Sequence, residues 1–107
     1  MIEFMTSAYK LLYEIETSLR THIKLNFKKR YGVNWERHLK LERDFNSVFF
    51  HDLISYYGKY QPLISTFTTS ERKQLYQIVS IRNSIAHMRD ISKVEYNLLV
   101  ICNNMIR

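Results

Sequence analysis

The sequence is poor in residues that interrupt helices, because its 107 residues include only two glycines and one proline. Its apolar residues recur every three or four positions, which is the period of a helix and not of a strand. Long apolar runs are also missing: none approaches the roughly 18 residues of a membrane span, and the N-terminus has no signal-peptide core. We therefore predict an all-α protein without a membrane partner.

Cysteine is nearly absent, since Cys102 is the only one. It has no partner for an internal disulfide, and its apolar neighbours Val100 and Ile101 indicate an ordinary buried thiol in a reducing compartment. This predicts a cytoplasmic location. No group of Cys and His residues has the spacing of zinc ligands, so neither a metal nor another cofactor is predicted.

Apolar and aromatic residues, by contrast, are plentiful. Hydrophobic residues make up 46% of the chain and aromatic residues 14%, which is too much for a disordered segment. A chain of this length is sufficient for one hydrophobic core and too short for two. The prediction is a single domain over residues 1–107, folded as an up-and-down bundle of four to five helices.

Positive charge exceeds negative charge in this chain. Sixteen lysines and arginines against ten aspartates and glutamates give a formal net charge of +6, which favours a polyanionic partner. RNA, DNA and acidic membranes all have that chemistry. A basic domain that is merely soluble has the same composition, so the charge alone does not choose among them.

The first predicted helix runs from about Thr6 to Tyr31, and Gly32 supplies its C-terminal stop. Its apolar positions are Tyr9, Leu12, Tyr13, Leu19, Ile23 and Phe27. Its second half carries the basic residues Lys24, Lys28, Lys29 and Arg30. These cations suit the negative end of the helix dipole, and they also suit a surface that attracts phosphates.

Three further helices are predicted along the rest of the chain. One spans about Asp44 to Tyr57 and is ended by Gly58. The segments Thr68–Glu71 and Ser92–Glu95 both have the form of a capping box, in which the first and last side chains bond to each other's backbone. They predict a helix from near Ser70 to about Met88 and a final helix through Ile106, with Asp90 and Ile91 as the hinge.

Arg82 occupies an unexpected position on the third of these four helices. On a helical wheel it falls near the middle of the apolar face, which is formed by Leu75, Ile78, Val79, Ile85 and Ala86. An unpaired charge in that position costs several kcal/mol, so a partner is expected. Glu16 lies within the apolar stripe of the first helix and is the predicted counter-ion, with Arg20 at the edge of the same stripe.

Asn83 and His87 are four residues apart and therefore lie on one side of the same helix. An imidazole exchanges protons near neutral pH, an amide orients a substrate group, and the Arg82 guanidinium can hold a phosphate through two parallel hydrogen bonds. Each residue also has a structural explanation, such as a helix-end charge or a local hydrogen bond. The three remaining histidines, His22, His38 and His51, are interpreted as surface or satisfied core residues.

The segment Arg82-Asn83-Ser84-Ile85-Ala86-His87 resembles the R-N-x-x-x-H signature of the HEPN superfamily. It lies on the penultimate long helix, and the first helix, with Glu16 and Arg20 on its apolar face, also fits that family's pattern. The resemblance implies a metal-independent endoribonuclease that cleaves RNA as a homodimer, with the Arg and His of both protomers meeting across a cleft. Such domains serve as toxins or antiviral abortive-infection effectors, which implies an antitoxin or a larger effector protein as a further partner.

The resemblance assigns catalytic roles to Arg82 and His87 and an orienting role to Asn83. We predict that RNA is bound by basic residues on the first helix and after the motif, namely Lys24, Lys28, Lys29, Arg30 and Arg89. His87 is followed by Met88 and Arg89, whereas some toxin members have a tyrosine two positions after the histidine, which leaves the subfamily open. Two alternatives also stay open: a catalytically inactive dimerisation or docking module of this type, and a plain nucleic-acid-binding bundle.

Overall fold

Helices account for most of the structure, a computed structural model that describes residues 2–39 and 44–106. The four α-helices are α1 (Ile2–Tyr31), α2 (Phe50–Lys59), α3 (Thr69–Ala86) and α4 (Lys93–Ile106). Short 3₁₀ segments cover Gly32–Leu39, Phe45–Ser47 and Gln61–Leu63. No strand occurs in the described ranges, and the predicted all-α class is confirmed.

Helix α1 spans 30 residues and ends where predicted, because Gly32 adopts a left-handed φ of 76°. Its buried side chains recur every three or four positions and are Ala8, Leu12, Ile15, Leu19, Ile23 and Phe27. The prediction that Tyr9 and Tyr13 belong to this stripe was wrong, because they are 60% and 61% exposed. Each follows a buried residue by one position and is therefore rotated about 100° away from the core.

The predicted helix over residues 44–57 is shorter and lies later in the chain than expected. A 3₁₀ turn at Phe45–Ser47 comes first, and α2 then runs past Gly58 to Lys59. Gly58 is therefore not the stop. It lies inside the helix at a close approach, because a Cβ atom there would overlap the guanidinium of Arg72.

Both predicted capping boxes are confirmed. At the start of α3, the Thr68 amide donates to Glu71 Oε1 at 2.8 Å and the Glu71 amide donates to Thr68 Oγ1 at 3.1 Å. Before α4, Ser92 and Glu95 form the same pair of bonds, at 2.8 and 3.1 Å. The two capping boxes supply acceptors for backbone N–H groups that have no partner within the helices, and they thereby fix where both helices begin.

Helix α3 ends one residue before His87, in a Schellman-type reversal of the chain. The Arg89 amide donates to the Ser84 carbonyl at 2.8 Å and the Met88 amide donates to the Ile85 carbonyl at 3.0 Å. Met88 takes a left-handed φ of 59°, a conformation that costs a side-chain-bearing residue about 1 kcal/mol. The predicted hinge contains Ile91, which is buried, so the connection to α4 is packed against the core.

Helices α1 and α4 run side by side in the same direction. The Phe4 and Tyr96 rings stack with centroids 4.8 Å apart, and Asn103 Nδ2 donates to Glu14 Oε2 at 3.2 Å further along both helices. Cys102 is buried beside this contact, and burial raises the pKa of its thiol to about 11. Over the described ranges, no helix combines the length and apolar character that crossing a membrane requires.

Candidate functional site

Arg82 lies at the edge of the core rather than within it. The fully or almost fully buried side chains of α3 are Leu75, Ile78 and Ile81. Arg82 is rotated by only about 40° from the centre of that stripe, yet its side chain is half-buried rather than buried. The helical wheel therefore predicted the angle of Arg82 well but overestimated how deeply the side chain is buried, because the neighbouring Val79 is itself only half-buried. Ala86 is in fact exposed.

One side of Arg82 borders a cleft between α1 and α3, with a volume of about 320 Å³. This α1–α3 cleft is lined by Tyr9, Leu12, Tyr13, Glu16, Arg82, Ile85 and Ala86. The two tyrosines that leave the core stripe of α1 thus form one wall of it. The cleft combines exposed aromatic surface with one carboxylate and one guanidinium.

Glu16 and Arg82 share this cleft without forming the predicted ion pair. The only ion pair between two described residues joins His51 and Asp52, and no hydrogen bond links Arg82 to another described side chain. Glu16 is half-buried and open to solvent through the cleft. Because neither group is fully desolvated, the energetic argument that required a protein partner for Arg82 no longer applies. Its guanidinium keeps hydrogen-bonding capacity for a ligand.

The other side of Arg82 borders a second cleft, between α2 and α3, of about 300 Å³. This α2–α3 cleft is lined by Phe49, Phe50, His51, Val79, Arg82 and Asn83. It brings together two residues of the predicted site, Arg82 and Asn83, and adds His51. His51 is exposed, as one of the two sequence interpretations expected. Its place in the cleft was missed, because nothing near His51 in the sequence indicates that α2 packs beside the end of α3.

His87 lies one turn beyond Asn83, at the C-terminal cap of α3. Its backbone amide donates to the Asn83 carbonyl at 3.1 Å, and both side chains are exposed. They therefore share one exposed side of the helix, as predicted. His87 is not among the residues that line either cleft. Within one protomer, Arg82 and Asn83 thus line the same α2–α3 cleft, and His87 lies outside both clefts.

Arg20 has a structural position away from both clefts. Its guanidinium donates to the Phe45 carbonyl at 3.0 Å and to the Val48 carbonyl at 2.6 Å. These bonds fix the chain that leads into α2 and hence indirectly the wall formed by Phe49 and His51. Arg20, which the sequence places at the edge of the apolar stripe of α1, therefore holds the segment that precedes α2.

The four basic residues of α1 that were predicted to bind RNA are exposed but are not gathered at Arg82. Lys24, Lys28, Lys29 and Arg30 lie on the second half of the helix. At 1.5 Å per residue, Lys28 is about 18 Å along the axis from Glu16. Arg89 is also exposed and lies two residues after His87. A nucleic acid that contacts both Arg82 and Lys28 must therefore extend along α1.

The other two histidines have the structural roles expected from the sequence. His22 Nδ1 lies 2.9 Å from Tyr57 Oη, and burial lowers the pKa of His22 below its usual value. The His38 ring stacks on Tyr31, with centroids 3.6 Å apart, on the exposed surface. Neither residue lines one of the two clefts, which makes His38 a suitable control for tests of His51 and His87.

Across residues 2–39 and 44–106, no group of three or more His, Cys, Asp or Glu side chains is placed to hold a metal ion. Comparison with protein-family profiles, curated proteins and solved structures yields no match to this chain.

Proposed function

We propose that this protein is a metal-independent endoribonuclease. The observation that carries the proposal is the position of Arg82: a half-buried guanidinium that borders two open clefts and makes no ion pair with a described residue. Such a group is suited to bind phosphate through two parallel hydrogen bonds. The resemblance of the Arg82–His87 segment to the HEPN signature supports an RNA substrate.

In the proposed reaction Arg82 binds the phosphoryl oxygens of the scissile phosphodiester and stabilises the charge that develops on them. Asn83, which lines the α2–α3 cleft together with Arg82, orients the phosphate or the adjoining ribose. His87 accepts the proton of the 2′-hydroxyl as this oxygen attacks phosphorus. The products are a 2′,3′-cyclic phosphate and a free 5′-hydroxyl.

The proposal includes a homodimer in the cytoplasm, acting in a toxin or antiviral defence setting that the resemblance suggests. One chain supplies one Arg82 and one His87, and His87 does not line either cleft. A second copy would bring another pair. The exposed tyrosines Tyr9 and Tyr13 offer aromatic surface for such a contact, while the basic half of α1 attracts the RNA backbone. An antitoxin or a larger effector protein would regulate the activity.

The test is single-turnover cleavage of a mixed-sequence RNA in EDTA by wild type, His87→Ala and His38→Ala. We expect cleavage by wild type and by the His38 variant, and a loss of roughly 100- to 10,000-fold for His87→Ala, the range of general base catalysis. His38 is a matched control because it is an exposed histidine outside both clefts. Equal cleavage by all three proteins would assign the activity to a contaminant and sink the proposal.

A second candidate function is a catalytically inactive module that dimerises or docks on a partner through the α1–α3 cleft. The exposure of Tyr9 and Tyr13 favours it, since large aromatic side chains are enriched at protein interfaces. It predicts that Tyr9→Ser together with Tyr13→Ser separates the protomers in sedimentation analysis, while wild type cuts no RNA under any condition.

A further inference from the structure

The α2–α3 cleft contains a histidine, His51, that lies outside the Arg82–His87 motif and can transfer protons in addition to His87. Three of its six lining residues carry polar side chains: His51 from α2, and Arg82 and Asn83 from α3. None of the six is acidic, so the potential inside this cleft favours an anion. At about 300 Å³ it lies at the small end of ligand pockets, a size suited to a phosphate group with its adjoining atoms.

The surroundings of His51 leave one ring nitrogen available. Its Nε2 lies 3.4 Å from Asp52 Oδ1, and its ring is nearly parallel to that of Phe49, with centroids 5.9 Å apart. Nδ1 makes no hydrogen bond to another described residue. The side chain is 58% exposed, so solvent can restore its proton after each reaction cycle. Other charged groups at this position are Asp52, on its own helix, and Arg82, across the cleft.

Cleavage of a phosphodiester by a 2′-hydroxyl moves two protons in opposite directions. The attacking oxygen loses one, and the departing 5′-oxygen gains one, because an unprotonated alkoxide is a poor leaving group. A single imidazole that has just accepted a proton at the attacking side is not available at the leaving side in the same step. The proposed base, His87, therefore needs a partner acid.

We infer that His51 is this acid, an inference that rests on the proposed ribonuclease function. The P–O2′ bond forms while His87 takes the 2′-hydroxyl proton, and the P–O5′ bond breaks while protonated His51 gives its proton to the 5′-oxygen. Arg82 stabilises the negative charge on the phosphoryl oxygens throughout. His87 then returns its proton to water, and His51 takes one up, which restores the starting state without any co-reactant.

Two RNA substrates of one sequence test this assignment, one with the natural 5′-oxygen at a single cleavage site and one with sulfur in its place. A thiolate leaves without protonation, because thiols have a pKa near 8.5. We expect His51→Ala and His51→Gln to slow cleavage of the oxygen substrate by roughly 100- to 10,000-fold and to cleave the sulfur substrate within about threefold of wild type. His87→Ala should slow both, and His38→Ala neither.

The outcomes separate this inference from the proposed function. If wild type cleaves neither substrate, the ribonuclease proposal fails and the role of His51 fails with it. If wild type cleaves both and the His51 variants match it on the oxygen substrate, only the present inference is wrong. An equal loss on both substrates also overturns it, because a merely structural side chain would not distinguish oxygen from sulfur. Thermal unfolding of each variant verifies that the fold is retained.

Discussion

The two clefts beside Arg82 share one guanidinium and differ in nearly everything else. The α1–α3 cleft adds a carboxylate, Glu16, and two exposed tyrosines, whereas the α2–α3 cleft adds His51 and Asn83 and has no acidic lining residue. A carboxylate competes with a phosphate for a guanidinium, while an imidazole and an amide assist in holding one. If this protein binds RNA as proposed, the α2–α3 cleft is therefore the better site for a phosphate, and the α1–α3 cleft is the better surface for a protein or for stacked bases.

Among the changes that compare the two clefts, substitution of Arg82 should have the largest effect. Arg82→Ala should reduce RNA cleavage by roughly 100- to 1,000-fold, the effect of losing one group that stabilises a developing anion. Arg82→Lys should recover only part, because an ammonium cannot make two parallel bonds to a phosphate. The free energy of unfolding should change by less than about 0.5 kcal/mol, since no described residue pairs with Arg82. A large loss of stability without any RNA cleavage by wild type would favour the inactive module.

Arg20 tests whether the α2–α3 cleft depends on the chain that precedes α2. Arg20→Ala removes two hydrogen bonds from a charged donor to the Phe45 and Val48 carbonyls and should cost about 2 kcal/mol of stability. That corresponds to a fall in Tm of roughly 10 °C for a domain of this size. Hydrogen exchange should increase at the amides of residues 45–51 more than near Tyr13. Lys24→Ala, on the exposed face of α1, is the control, and an unchanged Tm for the Arg20 variant would contradict the prediction.

Met88 offers a change at the end of α3 that touches neither cleft. Met88→Gly should raise the free energy of unfolding by about 1 kcal/mol, because glycine adopts the left-handed conformation without strain. Met88→Ala keeps a Cβ atom and should gain nothing. Chemical denaturation measures both variants. A stabilised Met88→Gly protein that cleaves RNA at the wild-type rate would show that the strain serves neither cleft, and a large change in rate would show that the reversal positions His87.

Substitution of Glu16 should have the smallest effect on RNA binding, and it tests whether the carboxylate of the α1–α3 cleft influences Arg82. Glu16→Gln removes the carboxylate that shares the α1–α3 cleft with Arg82. An exposed charge interaction of this kind contributes at most about 1 kcal/mol, so RNA should bind up to about fivefold more tightly. Glu36→Gln makes the same change in net charge at an exposed position outside both clefts and should have a smaller effect. Equal gains from both variants would mean that only the overall charge matters.

The parts of this structure that sequence predicts well are those fixed by neighbours in the chain. The capping boxes at Thr68 and Ser92 join residues three positions apart, so their hydrogen bonds can be inferred from the letters alone. Gly32 ends α1 for an equally local reason, its left-handed φ. Gly58 misled the prediction because its role is a close approach by Arg72 from another helix.

The parts that sequence predicts poorly depend on how helices are placed against each other. A helical wheel gives the direction in which a side chain leaves its helix, but not its position along the axis relative to a neighbouring helix. Glu16 and Arg82 could therefore be assigned to the facing sides of α1 and α3 and still not form an ion pair. Tyr9 and Tyr13 were assigned to the core because aromatic side chains usually pack there, but they form the wall of a cleft. His51 reaches the site only through the packing of α2 beside α3.

The single guanidinium between the two clefts has a thermodynamic consequence. An anion bound to Arg82 in the α2–α3 cleft would neutralise the positive charge of this guanidinium. The α1–α3 cleft, where Glu16 also lies, would then attract anionic ligands less strongly. Linkage requires the reverse as well: whatever engages Arg82 or Glu16 on the α1–α3 side alters phosphate affinity on the other side by the same factor. Occupancy of one face of α3 is thereby coupled to occupancy of the other through one side chain, without any movement of the helices.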